Sequence, residues 1–143
     1  MTLELHATPE EVMRAVEALQ QFGEVRQVPE RTLFGLALAL EECGSNIVNH
    51  ALRRDARQTF RVTLEHTGSA VVVELRDRGP EFDPTHAPAR PEEANDDDRP
   101  PGGWGIQLAR HYTDEIQYRR EAGENVLRVT KRLGDPASAK STC

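Results

Sequence analysis

The stretch EECGSNIVNHA, residues 41–51, holds the most informative pattern of the chain. It closes a segment, residues 29–52, that we predict to be one long helix. The apolar residues of that segment recur at helical spacing and form one face: Leu33, Leu36, Leu40, Cys43, Ile47 and Ala51. Glu42, Asn46 and Asn49 fall on the opposite face, at intervals of four and three residues. The pattern therefore predicts an amphipathic helix that carries polar groups in a fixed row.

Glu42 and Asn46 form the first candidate site. Residues four apart stand side by side on a helix. An amide oxygen is a ligand that suits Mg²⁺, and a neighbouring carboxylate can take a proton from an attacking hydroxyl or water. The same spacing is also typical of a solvated helix face, so both interpretations stay open at this point.

The segments before this helix predict a strand and a shorter helix. Residues 3–7 alternate weakly, which is typical of a short edge strand. Thr8 is a good N-cap, Pro9 suits the first helical position, and Glu11 has the capping-box spacing. We expect this helix to end at Gly23.

Two strands, a long irregular segment, a helix and two more strands are predicted after it. Residues 60–65 alternate between apolar and polar, whereas residues 70–75 are almost continuously apolar and predict a more central strand. The segment 78–103 holds six of the nine prolines and an acidic run, which indicates a functional or disordered loop. A helix over 104–112 and two strands, over 115–118 and 126–133, follow.

This order of elements predicts the fold class. Helices grouped on one face of a mixed, mostly antiparallel sheet make an α/β (α+β) two-layer sandwich. The order lacks the strand–helix alternation of a doubly wound nucleotide-binding fold. With 143 residues, the chain has the length of one domain, which we place at residues 1–133, followed by a flexible tail at 134–143.

Composition excludes several classes of function. The net charge of −6, without a basic block, argues against direct nucleic-acid binding. The longest apolar run, residues 33–40, is far shorter than the roughly 20 residues of a membrane span. The amino terminus lacks the pattern of a secretory signal. Cys43 and Cys143 are too few for a disulfide scaffold, so we expect reduced thiols and a cytoplasmic protein.

Asp77 and Gly79 form the second candidate site. They directly follow the apolar strand, in the sequence Asp77-Arg78-Gly79. A carboxylate at a strand end can accept the amino proton of adenine, and a residue without a side chain lets the ring come close. The alternative is an ordinary turn, since an Asp two residues before a Gly is a common turn sequence.

The glycine-rich start of the last helix is the third candidate site. Gly102, Gly103 and Gly105 flank Trp104. Glycines at a helix amino terminus expose backbone N–H donors at the positive end of the helix dipole, which suits phosphate oxygens. The alternative is a flexible loop end that packs the helix tightly.

The order of the three sites resembles the Bergerat ATP-binding fold of the GHKL superfamily. Within it, the chain is most similar to the anti-sigma-factor serine/threonine kinases of bacterial partner-switching modules. The stretch 42–51 resembles their N-box, in which Glu, Asn and His recur every four residues. The stretch 77–84 looks like their adenine box, and residues 103–108 with 113–118 look like their phosphate box and the following strand. The resemblance spans roughly residues 3–133.

The resemblance implies a set of roles. Glu42 would be the general base and Asn46 the Mg²⁺ ligand. The remaining cofactor-binding residues would be Asn49, His50, Asp77, Gly79, Phe82, Gly102, Gly103, Gly105 and Asn125. Residues 84–102 would form an ATP lid, which is unusually acidic here. Where these kinases often carry threonines, this chain has Glu124 and Asn125, and Glu124 would repel phosphate if it pointed inward.

The resulting hypothesis is an ATP- and Mg²⁺-dependent protein-serine kinase. The resemblance implies that its substrate is a STAS-domain anti-sigma-factor antagonist, that it also binds a sigma factor or another effector, and that it forms a homodimer. The alternative is a non-catalytic nucleotide-binding module that sequesters the effector. A histidine-kinase fragment is a third possibility, but no segment carries a phospho-accepting His beside a dimerisation pattern.

Overall fold

Along the described part of the chain, three α-helices and five strands follow one another in the predicted order. The computed structural model describes residues 1–86 and 103–133. The elements are β1 (Thr2–His6), α1 (Pro9–Val25), α2 (Glu30–Asn46), a π-helical turn (Ile47–Ala51), β2 (Thr59–His66), β3 (Ala70–Asp77), a 3₁₀ turn (Pro84–His86), α3 (Gly103–Tyr112), β4 (Glu115–Glu121) and β5 (Glu124–Arg132).

The strands form one sheet in the order β1-β2-β3-β5-β4. All four pairings are antiparallel, and β1 is an edge strand as predicted. The central strand is β3, whose residues are almost all buried, whereas β2 alternates between buried and exposed positions. The predicted two-layer α/β fold is therefore confirmed.

Helices α1 and α2 pack on one face of the sheet and supply much of the core. Leu19 of α1, Leu36 and Leu40 of α2, and Val73 and Leu75 of β3 are at most 1 % exposed. The apolar face predicted for α2 is the buried one. Burying each such side chain contributes about 1.5–3 kcal/mol, so this face holds the two layers together.

Two helix ends differ from the sequence prediction. Helix α1 continues past Gly23 to Val25. Gly23 is buried within the helix against the side chain of Leu33, which leaves no room for a methyl group at this position. The long second helix is regular only to Asn46, and its last turn, Ile47–Ala51, is π-helical. The chain then reverses through Arg53 and Arg54, which both have positive φ.

Several predicted segments lie outside the described residues. These include Gly102, most of the proposed lid and the tail at 134–143. Within residues 1–86 and 103–133, no helix has the length and apolar character needed to cross a membrane.

The face of the sheet opposite the helices carries ion pairs. Glu124 lies 3.4 Å from Arg76, 3.6 Å from Arg61 and 3.8 Å from Arg78. Arg76 also contacts Glu74 at 2.7 Å. Because successive strand residues point to opposite faces, Glu124 points away from the helices and from the face of Asn125.

Replacing Gly35 by alanine tests how closely α2 and α3 approach. A methyl group at Gly35 would overlap the carbonyl oxygen of Tyr112 at the end of α3. We expect Gly35→Ala to lower the free energy of unfolding by about 1–3 kcal/mol, although alanine favours helix. Urea unfolding measures this. Gly68→Ala, where nothing lies within 4 Å, is the control, and equal stability of both variants would contradict the packing.

Candidate functional site

A recess lies where the carboxyl end of β3 meets the end of α2. It is lined by Cys43, Asn46, Ile47, Leu75, Asp77, Phe82, Pro84, Tyr118, Asn125 and Leu127. The structure thus brings together predicted site residues from four segments of the chain. The cavity volume is about 20 Å³, enough for about one water molecule. A purine ring does not fit this volume unless lining residues are displaced.

Asp77 is the acidic group of this recess, and it is 3 % exposed. Its Oδ1 accepts hydrogen bonds from the backbone N–H of Gly79 at 2.8 Å and from Nδ2 of Asn125 at 2.9 Å. Burial raises the pKa of Asp77, while the bonds from Asn125 and Gly79 act in the opposite direction. The short bond to Gly79 forms an Asx-type turn, so the turn interpretation of this sequence is correct, and Asp77 also lines the recess.

Asn125 is the most connected side chain of the recess. Its Nδ2 donates to Asp77 and to the carbonyl of Pro80, both at 2.9 Å. Its Oδ1 accepts from the N–H of Phe82 at 3.1 Å, the hydroxyl of Tyr118 at 2.6 Å and the guanidinium of Arg120 at 3.1 Å. Because both N–H donors are used, Asn125 is placed to hold Asp77 and residues 80–82 together.

Gly79 is held against the end of the π-helical turn. A methyl group on it would lie 2.7 Å from the carbonyl oxygen of Ala51 and 3.0 Å from its Cβ. Arg120 donates a hydrogen bond to the carbonyl of Gly79 at 2.8 Å. The lack of a side chain at this position therefore serves the contact between two protein segments in this structure.

Glu42 and Asn46 make no side-chain hydrogen bond or ion pair with the described residues. Asn46 is 6 % exposed, and its side chain makes no hydrogen bond with any residue of 1–86 or 103–133. Glu42 is half-buried and has no hydrogen bond or ion pair with those residues. Burial and the neighbouring Glu41 raise the pKa of Glu42. A buried amide without a partner is costly, and it excludes the solvated-face interpretation for Asn46.

Asn49 and His50, in contrast, are engaged within the protein. Oδ1 of Asn49 accepts from Nε of Arg54 at 2.8 Å, which helps to hold the left-handed residues after the helix. The ring of His50 stacks on that of Phe82, with centroids 5.8 Å apart and planes at 25°. The π-helical turn changes the angular spacing of side chains after Asn46, so these two residues do not continue the row of Glu42 and Asn46.

Gly103 and Gly105 lie in the first turn of α3, as the sequence predicts for a helix that begins at glycines. The carboxyl end of this helix is anchored, because Tyr112 contacts Phe34 of α2 edge-on at 5.3 Å between ring centroids. Gly102, the remaining glycine of the predicted phosphate site, lies outside the described residues.

Sequence reasoning missed Tyr118 and Arg120, which hold Asn125 in place. A two-residue turn at Ala122-Gly123 would have predicted them, because such a turn fixes which residues pair across the hairpin. In the structure both turn residues have positive φ. That register places Asn125 opposite Arg120 on one side and opposite Asp77 on the other.

Comparison with known proteins assigns the family. Residues 5–131 match the model of the histidine kinase-like ATPase domain. The chain belongs to this family. Over 129 residues it is 33 % identical to the serine/threonine-protein kinase BtrW of Bordetella bronchiseptica, and the match covers 90 % of this chain and 91 % of that protein.

Solved structures share the fold at low sequence identity. A structure of the RsbU and RsbW domains of Rv1364c from Mycobacterium tuberculosis matches with a TM-score of 0.67 and 18 % identity over 92 % of this chain, which spans 31 % of that chain. The histidine kinase domain of Erythrobacter litoralis EL346 matches with a TM-score of 0.50 and 17 % identity, covering 87 % of this chain and 60 % of that one. These structures confirm the predicted fold, and the match over residues 5–131 confirms the predicted family.

Gly79→Ala tests the contact between Gly79 and the π-helical turn. The added methyl group must displace the Ala51 carbonyl or the segment that contains Gly79, and we expect a loss of about 1–3 kcal/mol in the free energy of unfolding. Thermal or urea unfolding measures the loss, with Gly68→Ala as the control. Unchanged stability would show that residues 78–82 do not rest on Ala51 in solution.

Proposed function

We propose that the protein is an ATP-dependent protein-serine kinase of the anti-sigma-factor type. The observation that carries the proposal is the pair formed by Asn46 and Glu42. Asn46 is a buried amide without a partner among the described residues, it lines the same recess as Asp77, and a carboxylate with a raised pKa precedes it by one helical turn. The family assignment and the identity to a serine/threonine-protein kinase support this proposal.

Asp77 would recognise the base of the nucleotide. Both hydrogen bonds that it accepts use Oδ1, so Oδ2 is available to accept the amino proton of adenine. Entry of the base would separate Phe82 from His50, whose stacked rings lie beside the recess. The backbone N–H groups at Gly103 and Gly105 would donate to phosphate oxygens at the start of α3.

Asn46 would hold Mg²⁺ through its side-chain oxygen. The donor fits the ion, because Mg²⁺ prefers oxygen ligands and the Asn46 amide has no competing partner among the described residues. Bound there, the ion would neutralise charge on the phosphates of ATP.

Glu42 would act on the phosphate acceptor. It would take the proton of a serine hydroxyl on a partner protein as the serine oxygen forms a bond to the γ-phosphorus of ATP. The bond from that phosphorus to the bridging oxygen breaks, and ADP leaves with the bond electrons. A half-buried carboxylate without a cationic partner remains a stronger base than one in an ion pair, which suits this role.

The partner proteins belong to the proposal as well. We propose a STAS-domain anti-sigma-factor antagonist as the phosphorylated protein, a sigma factor or similar effector as the competing partner, a homodimeric assembly and a cytoplasmic location. Mass spectrometry of such a STAS protein after incubation with this chain and Mg-ATP tests the substrate class. One added phosphoryl group on serine is the expected result, and an unmodified serine in the presence of bound ATP would overturn the kinase assignment.

Glu42→Gln tests the proposed base. We expect phosphoryl transfer to fall by about 10²–10⁴-fold, whereas the affinity for Mg-ATP stays within about threefold, because the amide keeps the shape of the carboxylate. Wild-type transfer should decrease as the pH falls through the raised pKa of Glu42, where the base becomes protonated. Glu41→Gln, at the exposed neighbouring carboxylate, is the matched control. Equal rates for the two variants would exclude Glu42 as the base.

Asn46→Ala tests the proposed metal ligand. Since this amide bonds no described residue, its removal should leave the folded protein intact. We expect ATP affinity to fall at least about tenfold with Mg²⁺ present and to change little with EDTA. Calorimetry with both buffers measures this, and Ser45→Ala is the control. An equal loss with and without Mg²⁺ would contradict the ligand role.

A further inference from the structure

The partners of Asn125 fix the orientation of its amide. Two acceptors, the carboxylate of Asp77 and the carbonyl of Pro80, face Nδ2. On the other side, the N–H of Phe82 and the guanidinium of Arg120 are obligatory donors toward Oδ1. If the amide were flipped, its oxygen would face two acceptors and its NH₂ group would face two donors. The contact to Asp77 is thus an N–H donated to a carboxylate.

Donors on Oδ1 keep Asp77 in the form that accepts hydrogen bonds. Asp77 is buried at the end of β3, where a carboxylate without donors would take up a proton. Asn125 supplies one of its two donors, and the other is a backbone N–H that belongs to the same turn. A protonated Asp77 would present an O–H donor instead.

The charged and titratable groups around Asp77 come from several elements. Arg120 of β4 favours the ionised form of Asp77, and Glu124 of β5 opposes it. Tyr118 has a raised pKa, and burial raises the pKa of the Cys43 thiol of α2 to about 12, so both are neutral at physiological pH. Among the described residues, Asn125 is the side chain that donates a hydrogen bond to this carboxylate.

We infer that Asn125 is a positioning residue that selects 6-aminopurine over 6-oxopurine nucleotides by holding Asp77 as a hydrogen-bond acceptor. The inference rests on the proposed function, in which Asp77 meets the six-position of the base. An adenine amino group donates to an ionised carboxylate. Hypoxanthine has a carbonyl oxygen at the same position, and two acceptors would then face each other inside a buried site.

The first measurement compares ATP with ITP, the triphosphate of hypoxanthine, on the wild-type chain. The two ligands share their phosphates and ribose, so the difference in affinity isolates the base. We expect ATP to bind at least about tenfold more tightly, because a site built to accept a hydrogen bond rejects a ligand that lacks the donor. Calorimetry at pH 7 with Mg²⁺ measures both dissociation constants.

The second measurement uses a matched pair of variants, Asn125→Thr and Asn125→Val. Their side chains have nearly the same size and both suit a strand, but only threonine has a hydroxyl that can donate to Asp77. We expect the preference for ATP over ITP to persist in Asn125→Thr and to fall toward one in Asn125→Val, where Asp77 takes up a proton and can donate to the hypoxanthine oxygen. A purely structural role would weaken both ligands alike and leave the preference unchanged.

The outcomes separate this inference from the proposed function. Failure of the wild-type chain to bind either triphosphate would overturn the proposed function. Binding of ATP and ITP with equal affinity, or the same preference in both variants, would overturn the role of Asn125 while nucleotide binding stands. Circular dichroism checks that the variants fold. If Asn125→Val does not fold, the preference for ATP over ITP is compared instead in Asn125→Ser, which keeps a hydroxyl donor, and Asn125→Ala, which does not.

Discussion

Close packing around helix α2 is the constraint on which the rest of the structure depends. Its apolar face covers the sheet. Helix α1 packs against it at Gly44, where an added methyl group would lie 3.1 Å from the side chain of Val12, and α3 ends on it at Gly35. These contacts leave α2 one rotation about its axis. That rotation turns Asn46 toward Asp77, and the π-helical turn after it ends the helix against Gly79. The site therefore follows from how the core packs.

The two buried amides of the recess, Asn125 and Asn46, differ in their hydrogen bonding. Asn125 has five hydrogen bonds and joins β5, β4, β3 and the segment 80–82. Asn46 has none with the described residues, although it is nearly as deeply buried. In a folded protein the first pattern is typical of a structural support and the second of a group kept for a ligand. Under the proposed function, Asn125 is the positioning residue and Asn46 the binding residue.

Much of the fold was predictable from the sequence, because it rests on periodicity. The apolar row of α2, the alternation of β2 and the continuous apolar run of β3 are local patterns, and the structure has them where the sequence placed them. The ends of helices were less predictable. The low helix propensity of Gly23 predicts a helix end, yet the glycine lies inside α1 because it packs against Leu33. No local sequence pattern indicates the π-helical turn. The bond from Asn125 to Asp77 joins residues 48 apart in the chain through the pairing of β5 with β3, which periodicity does not report.

The hairpin between β4 and β5 has a consequence for the chemistry of the recess. Ala122 and Gly123, both with positive φ, set which residue of β5 faces inward, since neighbouring strand positions alternate between the two faces. Shifting the hairpin by a single residue would exchange Asn125 for Glu124 and point an unpaired negative charge at the place where Asp77 now receives an N–H. A surface turn that does not line the cavity, two residues before Asn125, thus determines whether an amide or a carboxylate faces Asp77.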